Sequence, residues 1–542
     1  MRDLSGLHPV RPLIPLGGKV TKGISRRTAL RGTATAIGAA VALPSVAAAA
    51  SQTDLPSFVD LETATVAQLR GLLNTRRISC EDLVRAYIAR IDALSVGGPS
   101  LNAVRAVNPD AIAEAKAADA ALRRPGPRGA LLGIPVLLKD NIDVRGMTTT
   151  AGSVALVDSF PSADAPLVTA LRRAGAVILG KAKLTEFANF LTGNMPPGYS
   201  SAGGQVLNPY DVSLTPSGSS SGPAVAAAAG LAPLTIGTET SGSILSPSAA
   251  NSDVGVKPTV GLISRTGIVP ISASQDTAGP IVKTVADAAV LLTALSGVDP
   301  LDPATAANPL VGHDFTQDLT PDALSGARIG VVANQVPQAG SDNRALWDAA
   351  TGVLTDLGAV LVPVALSSAS SIPGGSTVLT YEFKRDLNTY LGRLPASAPI
   401  HTLADVIAFN DAHAAVALKF GQTQAISSQA IDLDPAGADT AKYLADRAQD
   451  LVDSKDRIDA LMAANDLTAL LWANSGSAGI GAKAGYPSIT LPAGYQANTR
   501  RPFNIAFLGQ AFSEPTLVGY AFAYEQASLL RRPPSAVNPT VF

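Results

Sequence analysis

Pro216-Ser217-Gly218-Ser219-Ser220-Ser221-Gly222 opens the stretch on which the reading of this chain turns, and Ile236-Gly237-Thr238-Glu239-Thr240-Ser241-Gly242-Ser243-Ile244 closes it. The Ala-rich text between them reads as one helix, so two serine and glycine clusters are held about 24 residues apart. Serine and glycine runs are often flexible linkers, but these have strongly structured flanks. Glycines let the backbone turn tightly and aim several N–H groups into one cavity, which is what holding an oxyanion requires.

Working outward, Ala130 to Leu138 is an apolar run broken by Gly133 and Pro135 and ending in Lys139-Asp140-Asn141. It reads as a buried strand feeding a polar turn. Asp164-Ala165-Pro166 opens a helix that stops near Gly175, and Val177-Ile178-Leu179 is the next strand. The order recurs as a helix over roughly Asn343 to Leu357, Gly358 as its stop, and Val360-Leu361-Val362. Helix, glycine, short β-branched strand predicts an α/β layered fold with a mostly buried sheet. Ser79 caps an amphipathic helix carrying Leu83, Tyr87, Ile91 and Leu94, and sheet-like text returns at Ala469 to Ala473 and Tyr486 to Pro492. No break in composition isolates a second domain, so residues 51–542 read as one discontinuous domain with a variable helical insertion around 300–440.

Of the 542 residues 46% are hydrophobic and 15% charged, which excludes general disorder. The single cysteine, Cys80, excludes a disulfide framework and a Cys-rich metal site. Four histidines (His8, His313, His401 and His413) without HxH or HExxH spacing speak against zinc, so neither metal nor cofactor is expected. Residues 1–50 hold seven Lys/Arg against Asp3, which leaves the remainder at −8 and argues against a nucleic-acid partner. Within that segment Arg26-Arg27 precede a weakly apolar run from Gly32 to Leu43 and the small residues up to Ala48 to Ala50. This has the form of a twin-arginine export signal cleaved near its end. The run from Pro223 to Ile236 is too short for a membrane span, so the mature protein is expected to be secreted and free of the membrane.

The two serine clusters, with Gly133-Ile134-Pro135-Val136-Leu137-Leu138-Lys139-Asp140-Asn141, resemble the amidase signature family of serine hydrolases. The likeness covers about 55–295 and resumes at Ala484-Gly485-Tyr486-Pro487 and Glu525-Gln526. Within the family it leans to bacterial peptide amidases, through Lys257-Pro258-Thr259-Val260-Gly261-Leu262 and Ser274-Gln275-Asp276-Thr277-Ala278-Gly279-Pro280. The resemblance implies one large mixed β-sheet covered by helices on both faces. It also implies a catalytic lysine at Lys139, a serine after a cis peptide bond at Ser219, a nucleophile at Ser243, and a small-molecule or peptide amide as substrate. The oxyanion hole falls on Thr240, Ser241 and Gly242. Ser217 and Ser221 stand where many members carry glycine, Leu245 where many carry arginine, and Ser241 where glycine or an acid is usual. These departures bear on the entrance and its polarity, and predict a preference for apolar, uncharged residues at the amidated end.

The chemistry is coherent on its own terms. A serine hydroxyl is a poor nucleophile until a neighbour takes its proton, and a buried lysine, neutral part of the time, can do so. Otherwise Lys139 would simply form an ion pair with Asp140 or Asp143. Other readings are an aryl or aliphatic amide hydrolase of the same family, a non-catalytic exported binding protein on this scaffold, and an amidotransferase subunit. A further rival is an α/β-hydrolase with Ser220 as its G-x-S-x-G nucleophile and His401 or His413 as base.

Overall fold

The computed structural model describes residues 59–541; the export signal expected at 1–50 lies outside the described residues. Eleven strands make the main sheet. In chain order they are β1 (Val104–Val107), β2 (Pro135–Lys139), β3 (Val177–Ala182), β4 (Leu234–Glu239), β5 (Val254–Lys257), β6 (Thr277–Val282), β7 (Arg328–Val332), β8 (Val360–Val364), β9 (Ala469–Ala473), β10 (Ser488–Tyr495) and β11 (Pro502–Leu508). Across the sheet the order is β1-β3-β2-β4-β6-β5-β10-β11-β9-β7-β8. β3, β2 and β4 run parallel, as do β9, β7 and β8, and an antiparallel stretch joins the two groups. Every residue of β2, β3, β4 and β6 is buried, so these strands read as continuous runs with no solvent face. The sheet is therefore flanked by helices, as expected.

Local signals account for much of this. The Ser79 hydroxyl accepts the Asp82 N–H at 3.0 Å and starts a helix over Cys80–Ile91. Pro166 sits in the first turn of Pro166–Arg173, where its missing N–H costs nothing. Cys80, the first residue of the Cys80–Ile91 helix, is fully buried, and burial pushes its thiol well up, which removes it as a nucleophile.

The insertion expected around 300–440 is not one piece. β7, the helix Asp342–Asp356 and β8 lie within it yet extend the main sheet, because Arg328–Val332 pairs in parallel with both β8 and β9. The helical cap begins only at Val378–Leu391 and continues through Leu403–Ala412, Thr423–Gln429 and Ala438–Leu451. Its apolar residues, among them Phe383, Leu387, Leu391 and Leu403, form a core of their own with Phe187 and Leu191. Among the described residues no helix is long and apolar enough to cross a membrane.

Candidate active site

β2 and β4 are parallel neighbours with Leu138 opposite Ile236, so their carboxyl ends finish side by side. Ligands of sheets with parallel strands gather at such ends. Lys139, the last residue of β2, is completely buried there. Its Nζ donates to Ser219 Oγ at 2.8 Å, to Thr238 Oγ1 at 2.9 Å and to the Thr238 carbonyl at 3.1 Å. Burial lowers its pKa to about 7, against the weaker opposing pull of Asp276 and Glu239. The ion pair that would have kept it charged is made elsewhere: Asp140 pairs with Lys181 at 3.1 Å, and Asp143 accepts the Tyr390 hydroxyl at 2.7 Å.

Ser219 is held by the loop before the helix Ser221–Ala228, and the Gly218–Ser219 peptide bond is cis. The Ser219 carbonyl accepts the Thr185 N–H at 3.0 Å, and the Gly222 N–H donates to the Lys183 carbonyl at 3.0 Å. A side chain at Gly222 would run into backbone, since its Cβ would lie 2.3 Å from the Lys183 carbonyl oxygen and 2.5 Å from that of Ala103. Only glycine lets the loop approach β3 this closely. Ser220 is occupied differently: its hydroxyl donates to the Thr238 carbonyl at 3.0 Å and accepts the Thr238 N–H at 3.2 Å. No strand leads into it, and neither His401 nor His413 lines the cleft described below, which removes the support for an α/β-hydrolase elbow.

The second cluster follows β4 directly. Glu239 turns its carboxylate onto the N–H groups of Ile244 and Leu245, at 2.7 and 2.9 Å, and so anchors the start of the helix Leu245–Ala250. Between these points Gly242 has φ +88°, a conformation that favours glycine. The amides of Thr240, Ser241 and Gly242 enter no turn or loop hydrogen bond among the described residues. Ser243 is 8% exposed, and its carbonyl accepts the Ser220 N–H at 3.2 Å, which brings the two serine clusters together. Ser241 is exposed, whereas Leu245 is fully buried and lies away from the entrance.

Two residues of this site carry contacts the sequence reading assigned to neither of them. Thr238 receives Lys139 and, at 2.9 Å, the Asn141 amide. Asp276 accepts the Thr240 hydroxyl at 2.5 Å and the N–H groups of Ile271 and Ser272. Burial raises its pKa to about 6. Thr238 and Asp276 stand inside the quoted motifs, so the signal was present without a role attached.

A cleft opens beside the site. Its inner end is formed by the buried Asn141, Thr238 and Thr240, its wall by the apolar stretch Ile268 to Ile271, and its rim by Leu301 and Arg393. The far wall comes from the cap through Asp386, Thr389 and Tyr390. The loop from Thr192 to Gly204 supplies none of the lining. Glu382 fixes the cap in place by accepting both the Ser272 and Ser274 hydroxyls and that of Tyr443. Among the described residues no cluster of His, Cys, Asp and Glu is placed to hold a metal ion.

The amidase family model matches residues 82–478. A probable amidase of Arabidopsis thaliana is 40% identical over 500 residues, covering 90% of this chain and 94% of its own. Among solved structures, a native peptide amidase from Stenotrophomonas maltophilia superposes with a TM-score of 0.82 at 43% identity, covering 87% of this chain and 98% of its own. A peptide amidase in complex with the competitive inhibitor chymostatin gives 0.82 at 44% identity, with 87% and 99% covered.

Proposed function

Because the chain belongs to the amidase family, hydrolases of the carbon–nitrogen bond of amides, we propose that it releases ammonia from C-terminal amides of peptides through Ser243, Ser219 and Lys139. The observation that carries this reading is the contact of a fully buried, carboxylate-free Lys139 with Ser219 at 2.8 Å. Ser243 Oγ attacks the amide carbonyl while its proton passes to Ser219 Oγ, and the Ser219 proton passes to neutral Lys139 Nζ. The carbonyl oxygen takes the negative charge and is met by N–H groups of the Thr240 to Gly242 turn. The same proton returns through Ser219 to the nitrogen, the C–N bond breaks, and ammonia leaves. Water then attacks the acyl-enzyme by the same relay, freeing the carboxylate and Ser243.

Peptide amides are favoured because the inner end of the cleft is formed by buried residues and its rim by the exposed Leu301 and Arg393. A chain can extend outward past the rim, whereas a residue beyond the scissile carbonyl would have to enter the buried interior. Export through the Arg26-Arg27 signal completes the proposal. Lysine at both positions should retain the protein in the cell with activity intact, and continued secretion would remove that part.

A serine-directed fluorophosphonate, followed by peptide mass spectrometry, should place its adduct on Ser243, and Ser243→Ala should lose about 10³-fold or more in kcat. An adduct on Ser220 would overturn the triad. Given a dipeptide amide and the same peptide lengthened by one residue beyond that carbonyl, the enzyme should release ammonia from the first and leave the second uncut. Efficient cleavage of the longer peptide, or turnover confined to aryl or fatty amides, would defeat the substrate assignment.

A further inference from the structure

Five charged side chains line the cleft: Arg265, Asp276, Asp302, Asp386 and Arg393. Four are committed to the protein itself. Arg265 holds Asp302 through two nitrogens, at 2.5 and 2.8 Å, and also reaches the Ala273 carbonyl. Asp276 is taken by Thr240 and two backbone N–H groups. Asp386 is held by Arg385 at 2.7 Å and by the Ala273 N–H at 2.9 Å. Arg393 alone, among the described residues of the cleft, has a charge that meets no partner: its guanidinium makes no hydrogen bond or ion pair.

Its position gives that freedom a use. Arg393 lies just beyond the helix Val378–Leu391, and its backbone N–H is tied to the Tyr390 carbonyl, so the rigid cap carries the charge to the rim. A cation past a helix carboxyl end is favoured by the helix dipole by a few tenths of a kcal/mol, yet this one bonds none of the terminal carbonyls. A substrate whose amide lies at the buried end runs outward along Ile268 to Ile271 and leaves the cleft at Leu301 and Arg393. The geometry points to Arg393 as a specificity-determining residue that pairs with a carboxylate upstream of the amidated residue, making peptide amides with an acidic residue there the preferred substrate class. This rests on the peptide amide reading above. The charge preference belongs to the outer end of the cleft, away from the buried Asn141, Thr238 and Thr240.

Planar guanidinium and carboxylate groups fit each other bidentately, and a half-exposed pair is worth a modest gain in affinity that salt erodes. The effect belongs in KM, since Arg393 is remote from the reacting atoms. The test uses N-acetyl tripeptide amides ending in leucine amide, with Asp, Asn or Lys at the residue before leucine and, separately, at the one before that. Wild-type enzyme should show KM about three- to tenfold lower for Asp than for Asn at one of these positions, with the difference shrinking in 0.5 M NaCl. In Arg393→Gln the Asp-to-Asn ratio should approach one, and Arg393→Glu should turn the preference toward Lys. Equal KM for Asp and Asn at both positions, or a preference that survives Arg393→Gln, overturns this inference while neutral peptides continue to be hydrolysed. Failure to hydrolyse any member of the series defeats the peptide amide reading and this inference with it.

Discussion

Two adjacent strands carry buried lysines at or next to their last residue, and these lead opposite lives. Lys181 on β3 and Lys139 on β2 are both hidden from solvent, but Lys181 has Asp140 at 3.1 Å together with Thr149 and the Thr148 carbonyl. Lys139 has only hydroxyls and a carbonyl. The first is a charge neutralised in place. The second is a charge the fold declines to neutralise, so desolvation drives its pKa down to about 7 and makes it a base near neutral pH. The lesson is that the chemistry of a buried lysine is decided by which neighbour the carboxylate faces, not by burial alone.

Substitution should separate the two. Lys139→Met is expected to lower kcat by about 10³-fold or more, and Lys139→Arg to do no better, since a guanidinium stays charged. Turnover within tenfold of wild type in either variant would erase the distinction. Lys181→Met should do its damage in the fold, because it strands Asp140 without its cation, at a cost of about 3–5 kcal/mol readable as a lower denaturant midpoint. A midpoint equal to that of wild type would mean that Asp140 does not need Lys181.

The pH profile sharpens the contrast further. A base must be unprotonated to act, so kcat/KM should climb about tenfold per pH unit below the Lys139 pKa and level off above about 7. Stability follows the same group. Its folded pKa lies below the ordinary lysine value of 10.5, so between about 7 and 10.5 the unfolded chain holds a proton the native state has shed. This contribution therefore grows as pH rises through that window and is lost toward pH 7. The smallest effect is expected from Asp276→Asn. Removing the carboxylate that holds the Lys139 pKa up should move the kinetic limb a fraction of a pH unit to lower pH. A shift in the alkaline direction would contradict the electrostatic account.

What the sequence reveals here is what short stretches decide. The apolar run ending in Lys139, the cap at Ser79 and the glycine-bearing turn before Ser243 are local, and the structure has a strand, a helix and a turn at those places. Beyond reach were pairings fixed by strand register. Asp140 adjoins Lys139 in the chain, yet successive side chains of extended backbone point to opposite faces, and it meets Lys181 instead. Thr238 reaches Lys139 across 99 residues, and Asp276 reaches Thr240 only because β6 pairs with β4. Val360 to Val362 reads as a strand, but its place in the main sheet comes through β7 at Arg328–Val332, which the sequence reading did not single out and which joins β8 to β9 by pairing.

The clamp at Glu382 bears on how this scaffold could be re-engineered. Because Ser272, Ser274 and the Ala273 N–H hold Glu382 and Asp386 of the cap, and Asp276 of the same loop holds Thr240, the specificity wall and the catalytic turn share one brace. A chimera that transplants a relative's cap helices alone would import a wall with nothing to seat it. The exchangeable module is discontinuous, pairing the loop 271–276 with the cap from 378 onward, and a library confined to either half would explore mostly misassembled entrances.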